Sequence, residues 1–327
     1  MFPFKPFRPE QKVYKVKDAP AGIQEFTYNG LTWIDIARPS QKEITELEKR
    51  FNFHELLLED CMTEHQRAKV DDYDEYCFIV LHFPRYRKQI KRLDAEEIDI
   101  FLGPNYLITL HEGELKPLTN LVESLKNNDS LKKEHMSNGP ALLLYEITRS
   151  LFDYCFPMLD KIGYNLDELN RIIFREVTRD TLESIAGAKM QIINYRRIMK
   201  PMRPVILTLE KVIRKYMPED MDVYFDDITD KAEKIWDLLE NYKEVILSLD
   251  STFTSLTNHR INNLMRMFTV IQVIILPMIL VSGLFSMNVQ GIPFHNIGSA
   301  FWIVFGMIFV PMSAIALIMI IKRKKWL

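Results

Sequence analysis

The chain has 327 residues, a length sufficient for one large or two modest domains. Its 42 basic and 44 acidic residues nearly cancel, for a formal net charge of −2, so overall charge offers no argument for a nucleic-acid partner. The three cysteines, Cys61, Cys77 and Cys155, have neither metal-ligand nor CxxC spacing. An odd number of widely spaced cysteines argues against a disulfide framework and suits a reducing compartment.

The first 135 residues are expected to form an α+β domain, an α/β sandwich. In residues 39–51, Ser40 is suited to cap an amphipathic helix that follows it. The basic stretch from Arg85 to Arg92 joins two predicted strands and indicates a hairpin rather than a nucleic-acid surface. The predicted strands are rich in β-branched and aromatic residues and are bounded by Pro, Gly and Asn; they are LTWIDI, YCFIVLHF, EIDIFLG and NYLITLH.

From residue 136 onward the pattern is helical. Residues 136–221 are expected to form a helical region and 222–267 a stalk helix. The helix that forms the stalk is predicted to start near Tyr224, to pass beyond residue 267 into a membrane segment and to run without a helix-breaking residue to Pro277. At 1.5 Å per residue it would be roughly 80–90 Å long, which is typical of a stalk rather than of a helix in a compact domain.

Two apolar segments near the C-terminus are predicted to cross a membrane. No Lys, Arg, Asp or Glu occurs from Met267 to Ile321. Residues 268–285 and 300–321 are the predicted membrane helices, because roughly 20 apolar residues span a bilayer core. Each contains a proline, which membrane helices tolerate where neighbours satisfy the freed carbonyl. A pair of buried core helices in a soluble protein is the alternative.

The basic residues around these segments predict their orientation. Arg260 and Arg266 precede the first segment, and the tail 322–327 contains KRKK, whereas the connector 286–299 has no Lys or Arg. Since cytoplasmic flanks carry the excess of Lys and Arg, both termini and the α+β domain are predicted to be cytoplasmic. The connector would then face the outside, and lipid would surround the two helices.

A polar stripe on the long helix indicates a pathway for ions. A polar side chain at bilayer depth must face protein or water, and two membrane helices per chain cannot enclose water, so the stripe implies an oligomer whose copies line a central path. Apolar constrictions at Met265, Leu276 and the nearby Phe268 could gate such a path by dewetting. Read in alternating steps of four and three, the stripe comprises Ser251, Ser255, Asn258, Asn262, Met265, Thr269, Gln272, Leu276, Ile279 and Gly283.

Two other interpretations of the stripe remain open. It could be a packed seam in which Asn sets register and Gln bonds across helices. The chain could also be a non-conducting, membrane-anchored sensor or scaffold, which would not need polarity to continue through the bilayer. An enzyme is not expected, because no paired Cys/His cluster, phosphate loop or nucleophile motif occurs in the sequence.

Nearly the whole chain resembles the CorA family of divalent-cation transporters. The stretch HELLLEDCMTEHQRAKVDDYDEYCFIVL is similar to the family's cytoplasmic signature, and NHRINNLMRMFTVIQVIILPMILVSGLFSMN is similar to its stalk and pore helix. The family's hallmark Gly-Met-Asn corresponds here to Ser286, Met287 and Asn288. The resemblance therefore places the pore mouth at these three residues.

This resemblance implies a funnel-shaped homopentamer in the inner or plasma membrane that takes up Mg²⁺, with Co²⁺ and Ni²⁺ as further possible cargo. Asn288 would hold the hydrated ion at the pore mouth. The family's cytoplasmic regulatory Mg²⁺ site, which holds the channel shut, would correspond to Glu59 and Asp60 facing Asp227. The ion would act there as a regulator as well as cargo.

Two features of the hallmark region differ from the common CorA pattern. Ser286 replaces the glycine, which adds a side chain and disfavours a turn with positive φ. The connector 286–299 has no acidic residue to concentrate cations. Its sequence NVQGIP is similar to the branch that includes the ZntB zinc transporter. Proton-coupled Zn²⁺ transport is therefore the alternative to Mg²⁺ uptake.

Overall fold

The computed structural model describes residues 22–63, 66–87, 92–175, 177–216, 222–287, 302–303, 305–310 and 313. The chain divides into two compact units, Met1–Asp250 and Ser251–Leu327. Each unit is described by itself below.

The first unit contains a six-stranded sheet. In space the strands follow the order β1-β2-β6-β5-β4-β3, and all neighbours are antiparallel except the parallel pair β2 and β6. The four predicted strands are confirmed as β2, β4, β5 and β6, whereas β1 and β3 were not predicted. The strands are β1 (Gly22–Tyr28), β2 (Leu31–Ala37), β3 (Lys69–Asp72), β4 (Cys77–Arg87), β5 (Arg92–Leu102) and β6 (Tyr106–His111).

Two hairpins determine much of the register. Asn29 and Gly30 join β1 to β2 with φ values of 48° and 84°, the left-handed conformations that a two-residue hairpin turn of the Asn-Gly type requires. Strands β4 and β5 pair along their whole length, up to Arg87 opposite Arg92. The predicted hairpin in the basic stretch is therefore confirmed, with residues 88–91 lying outside the described residues.

One face of the sheet is covered by α1 (Gln41–Arg50) and α2 (Glu55–Asp60). Ser40 caps α1: its hydroxyl accepts a hydrogen bond from the Lys42 amide, while the Glu43 carboxylate accepts one from the Ser40 amide at 2.9 Å. The predicted serine cap is thereby confirmed. The apolar side chains of the two helices are buried on the sheet in one cluster that includes Ile44, Leu47, Leu57, Leu58, Ile34, Phe78, Val80, Phe101 and Ile108.

The opposite face of the sheet is covered by long helices. Phe83 on β4 points away from the α1–α2 side and meets Phe152 edge to face, with ring centroids 5.3 Å apart. The helices after the sheet are α3 (Lys116–Asn127), α4 (Asp129–Met136), α5 (Pro140–Ile172), α6 (Arg179–Ile213) and α7 (Asp222–Ser286), with a 3-10 turn at Arg214–Tyr216.

Within the first unit, the start of α7 lies against α5 and α6 through ion pairs. The Lys231 ammonium binds Asp153 on α5 at 2.5 Å, and the Arg203 guanidinium on α6 binds Glu233 at 2.6 Å. The helix expected from near Tyr224 is thus confirmed, and it continues through Pro277 to Ser286. Its buried apolar side chains include Phe225, Ile228, Ala232, Ile235, Leu239 and Ile246.

The described part of the second unit is helical. Among the described residues, only α7 is long and apolar enough to cross a membrane. The predicted second membrane helix, residues 300–321, falls mostly outside the described residues, but Trp302–Ile303, Phe305–Val310 and Ser313 are helical. Phe305 and Phe309 stack one turn apart with ring centroids at 4.6 Å.

All three cysteines are free and buried in the first unit. Cys77 and Cys155 are fully buried, and burial raises the pKa of each thiol to about 12. Burial likewise raises the pKa of Cys61 well above its usual value. The expectation of unpaired cysteines is confirmed.

Candidate functional site

The predicted pore-lining residues all lie on α7. At about 100° per residue, the stripe occupies an arc of roughly 120° around the helix, and Phe268 lies at its border. Met265, Leu276 and Ile279 are 59%, 64% and 66% exposed in the single chain. The other residues predicted to line the pore are exposed as well: Ser251, Asn258, Asn262, Phe268, Thr269, Gln272 and Gly283.

Exposure is not confined to the stripe. Every residue from Ile261 to Val273 is exposed on all sides of the helix, which includes apolar side chains such as Val270 and Ile271. An apolar helix surface of this kind requires lipid or further protein to cover it. The single described chain therefore leaves both the polar stripe and the apolar faces of α7 without protein cover in this segment.

Two hydroxyl groups of the stripe are bonded within the helix itself. The Thr269 hydroxyl donates a 2.8 Å hydrogen bond to the Met265 carbonyl, and the Ser255 hydroxyl donates one of 3.0 Å to the Ser251 carbonyl. A hydroxyl that has used its hydrogen in this way presents only acceptor lone pairs outward. Such groups can accept hydrogen bonds from the water shell of a cation.

The hallmark-like residues lie at the end of α7. The Ser286 hydroxyl donates a 3.1 Å hydrogen bond to the Gly283 carbonyl, and the Met287 amide donates one of 3.4 Å to Leu284. Ser286 is helical, and among the described non-glycine residues only Asn29 and Arg38 have positive φ. The serine is therefore accommodated without backbone strain. Asn288 lies outside the described residues.

The predicted regulatory carboxylate of Asp60 lies at the end of α2, beside a lysine. The Lys69 ammonium is 2.9 Å from Asp60 Oδ2 and 3.0 Å from Asp71 Oδ2. The neighbouring Glu59 is exposed to solvent. The side chain of Asp60 is 30% exposed, so one of its faces remains accessible.

Asp227 lies on α7 and faces α5. Its Oδ2 accepts a 3.1 Å hydrogen bond from the Tyr145 hydroxyl and lies 3.9 Å from Arg149 Nε. The structure thus gives Asp60 and Asp227 separate partners on the same chain. Within the described part of the chain, no group of three or more His, Cys, Asp or Glu side chains is arranged to hold a metal ion.

Sequence reasoning missed a buried polar network on the α5-covered face of the sheet. Thr109 donates a 2.6 Å hydrogen bond to Asp35 and accepts one of 3.1 Å from Trp33 Nε1. His111 Nδ1 accepts from the Gly113 amide at 2.9 Å, so the proton of a neutral ring is on Nε2, 3.1 Å from Asp35 Oδ1. The network joins β2 to β6, and its only sequence signal is a polar residue inside each of two apolar strands.

A second buried ionisable group on this face is Glu96. Arg85 Nη1 lies 3.1 Å from Glu96 and 3.2 Å from Glu114, and it bridges the two carboxylates. Burial raises the pKa of Glu96 to about 7, although the Arg85 charge acts in the opposite direction. This group supports the position of the loop before α3 and is not part of the candidate ion path.

Comparison with known proteins identifies the family. The family model described as "CorA-like Mg2+ transporter protein" matches residues 28–323. The chain belongs to the CorA-like Mg²⁺ transporter family. It is accordingly a CorA-family transporter of Mg²⁺ or other divalent cations, and the family resemblance of its sequence is confirmed.

Individual CorA relatives match most of the chain. The cobalt/magnesium transport protein CorA of Thermotoga maritima is 26% identical over 299 residues, 90% of this chain and 83% of the relative. The putative metal ion transporter YfjQ of Bacillus subtilis is 28% identical over 262 residues, 80% of this chain and 79% of the relative.

A solved CorA structure confirms the fold. The complete structure of the CorA magnesium transporter from Methanocaldococcus jannaschii superposes with a TM-score of 0.75 at 23% identity, covering 90% of this chain and 92% of that one. The expected α+β domain followed by a long helix is therefore confirmed. The roles of individual CorA-like residues in this chain remain predictions.

Proposed function

We propose that the chain forms a homopentameric channel that admits Mg²⁺, with Co²⁺ and Ni²⁺ as further cargo, and that cytoplasmic divalent ions close it. The observation that carries the proposal is the polar stripe of α7, which continues through Thr269 and Gln272 into the apolar segment. Polar groups at this depth require a protein or water environment. Five copies around an axis would provide protein neighbours for α7 and enclose a water-filled path.

The stripe suits an ion that passes with its water shell. Mg²⁺ gives up its waters reluctantly, and acceptor oxygens of hydroxyl and amide groups can contact those waters without binding the metal directly. Such weak contacts allow the ion to leave as well as to enter. Met265, Leu276 and the border residue Phe268 would narrow the path with apolar side chains.

At the outer end, Asn288 would form a ring of amide oxygens around the entering hydrated ion. Ser286 and Met287 would support this ring from the end of α7, where the helix reaches Ser286 without backbone strain. The connector 286–299 would face the outside. Both termini and the first unit would lie in the cytoplasm of a cell whose inner or plasma membrane supplies the surrounding lipid.

Regulation would depend on Asp60 and Asp227, with Glu59 contributing charge. Carboxylate oxygens are the ligands that Mg²⁺ takes from proteins, usually one or two with retained waters. A cation held between carboxylates of neighbouring copies would stabilise the closed state in proportion to its preference for that state. High internal Mg²⁺ would then limit further entry.

Proton-coupled Zn²⁺ transport is the second candidate. It is supported by the connector 286–299, which contains the NVQGIP sequence, has no carboxylate and includes His295, a residue type that can ionise near neutral pH. A non-conducting sensor or scaffold is the candidate of another class. Flux measurements separate all three.

The decisive experiment is divalent-ion uptake into proteoliposomes, with Mg²⁺ and Zn²⁺ compared in the presence and absence of a pH gradient. Mg²⁺ entry that ignores the gradient and disappears in Asn288→Ala would support the proposal. Zn²⁺ entry that increases with the gradient, with little Mg²⁺ flux, would replace it with the second candidate. An absence of flux for both ions would favour the non-conducting sensor or scaffold.

A further inference from the structure

The ammonium of Lys69 lies between two carboxylates at the proposed regulatory site. Lys69 and Asp71 are two residues apart on β3 and therefore share a face of the strand, while Asp60 comes from the end of α2. The ammonium is 2.9 Å from Asp60 Oδ2, 3.0 Å from Asp71 Oδ2 and 5.2 Å from the centre of the Phe78 ring. A positive charge thus already neutralises Asp60.

We propose that Lys69 is an internal competitor for the divalent cation at Asp60. In this proposal, which rests on the proposed regulatory role of Asp60, the ammonium occupies the carboxylate when the cation is absent and moves aside when it binds. Lys69 would then set the cytoplasmic Mg²⁺ concentration at which the site fills.

The donor chemistry of the site fits such an exchange. The Asp60 carboxylate is an oxygen ligand of the kind that Mg²⁺ takes from proteins, usually one or two together with retained waters. Lysine carries a compact charge on a flexible four-carbon stem, so the ammonium can withdraw without a backbone change. The ion pair is 30% exposed at both partners, which gives solvent and a hydrated ion a route to Asp60.

Lys69 keeps two partners after it leaves Asp60. The Asp71 carboxylate and the face of the Phe78 ring both remain within reach of its ammonium. The displaced charge is therefore not left unpaired, which keeps the cost of the exchange small. A partly exposed ion pair contributes little net free energy, so the competition should alter cation affinity by a modest factor.

Lys69→Met tests the proposal, because it removes the charge and retains much of the apolar stem. The full-length protein would be melted in detergent at increasing Mg²⁺ concentrations, since binding to the folded state raises the melting temperature. Without the competitor, the Mg²⁺ concentration at which the melting temperature begins to rise (the onset concentration, which is close to the dissociation constant) should fall about 3- to 10-fold. Lys69→Gln should behave in the same way.

A matched control is Lys189→Met. Lys189 forms a 2.8 Å ion pair with Asp250, and the two side chains are 38% and 37% exposed, similar to Lys69 and Asp60, but neither is a proposed metal ligand. This variant should keep the wild-type onset concentration. A change equal to that of Lys69→Met would show a nonspecific charge effect and would overturn the proposal.

Asp60→Asn separates this inference from the proposed function. If Asp60→Asn raises the onset concentration while both Lys69 variants keep the wild-type value, the site exists and Lys69 does not compete for it. If Asp60→Asn itself keeps the wild-type onset concentration, the regulatory assignment of Asp60 is wrong. A lower onset concentration in both Lys69 variants together with a higher one in Asp60→Asn supports both statements.

Discussion

The hydroxyl of Tyr145 on α5 donates a 3.1 Å hydrogen bond to Oδ2 of Asp227 on α7. Tyr145 is only 5% exposed, and its ring meets Tyr224 edge to face with centroids 5.0 Å apart. The shortest contact of Asp227 is therefore with a neutral, well-packed hydroxyl, whereas Asp60 contacts the charged ammonium of Lys69. The two proposed regulatory carboxylates differ in how they are held within the chain.

Tyr145→Phe should destabilise the first unit. The substitution keeps the ring packing but removes the hydrogen bond to Asp227, which costs about 1–2 kcal/mol because the acceptor is charged. The measurement is the thermal unfolding of the full-length protein. Tyr224→Phe, which removes a more exposed hydroxyl from the same aromatic cluster, is the control. Equal stability of Tyr145→Phe and wild type would contradict the prediction.

Gly163→Ala should reveal a close contact between α5 and α7. A Cβ atom at Gly163 would lie 2.6 Å from the Tyr242 hydroxyl oxygen and 3.1 Å from the adjoining ring carbon. Alanine normally stabilises a helix interior by about 1 kcal/mol over glycine. Here the Tyr242 ring would have to move, so we expect this gain to be cancelled or reversed.

Two comparisons check the Gly163 prediction. Gly187 on α6 has no atom within 4 Å of an added Cβ, so Gly187→Ala should show the full helical gain. In a Tyr242→Leu background, Gly163→Ala should also become favourable. The coupling between positions 163 and 242 should reach about 1 kcal/mol, and additive effects would refute the contact.

Glu96→Gln should change the pH dependence of stability. Burial raises the pKa of Glu96 from 4.5 to about 7, so the folded state holds this proton at pH values where the unfolded chain has lost it. Stability therefore falls as pH rises from about 4.5 to 7, by at most about 3 kcal/mol in total. Glutamine mimics the protonated carboxyl and does not incur this loss.

The measurement for Glu96 is a series of melting curves between pH 5 and pH 8. The stability of Glu96→Gln relative to wild type should increase across this range and then level off. Glu48→Gln, at an exposed position on α1, should show no such trend. A difference that stays constant with pH would exclude a protonated Glu96.

Gln272→Leu should reduce ion flux without loss of the folded first unit. The substitution removes a polar side chain from the proposed path and leaves an apolar wall, which disfavours water there. Ile274→Leu is the control, because it lies about 200° away around the helix. Proteoliposome uptake should fall roughly 10-fold or more in Gln272→Leu only, because each rise of about 1.4 kcal/mol in the free-energy barrier to ion passage slows the flux tenfold. Similar fluxes in both would favour a packed seam.

Local sequence patterns predicted much of the fold. Buried strands such as β4 and β6 are dense in β-branched and aromatic residues, and α1 begins at a serine with the matching glutamate. Strand β3 was missed because its KVDD sequence is short and charged, as edge strands often are. Strand β1 was missed although Asn29 and Gly30 are a strong hairpin signal.

The candidate site was predictable only where it lies on one helix. The stripe of α7 follows from spacing alone, since a helix places such residues on one face. Contacts that join distant segments could not be derived in this way. Thr109 meets Asp35 because β2 and β6 are parallel neighbours, and Lys69 meets Asp60 because β3 passes the end of α2. Neither pairing has a local signature.

The burial of Cys61, Cys77 and Cys155 has a practical consequence for experiments that attach labels to introduced cysteines. Their thiols are inaccessible and protonated near neutral pH, and only thiolates react readily with maleimides. The natural cysteines should therefore react little with thiol-directed fluorophores and spin labels. One cysteine introduced at an exposed position, such as Tyr164 on α5 or Val223 on α7, would test the proposed pentamer by reporting distances between its copies, without prior removal of the natural thiols.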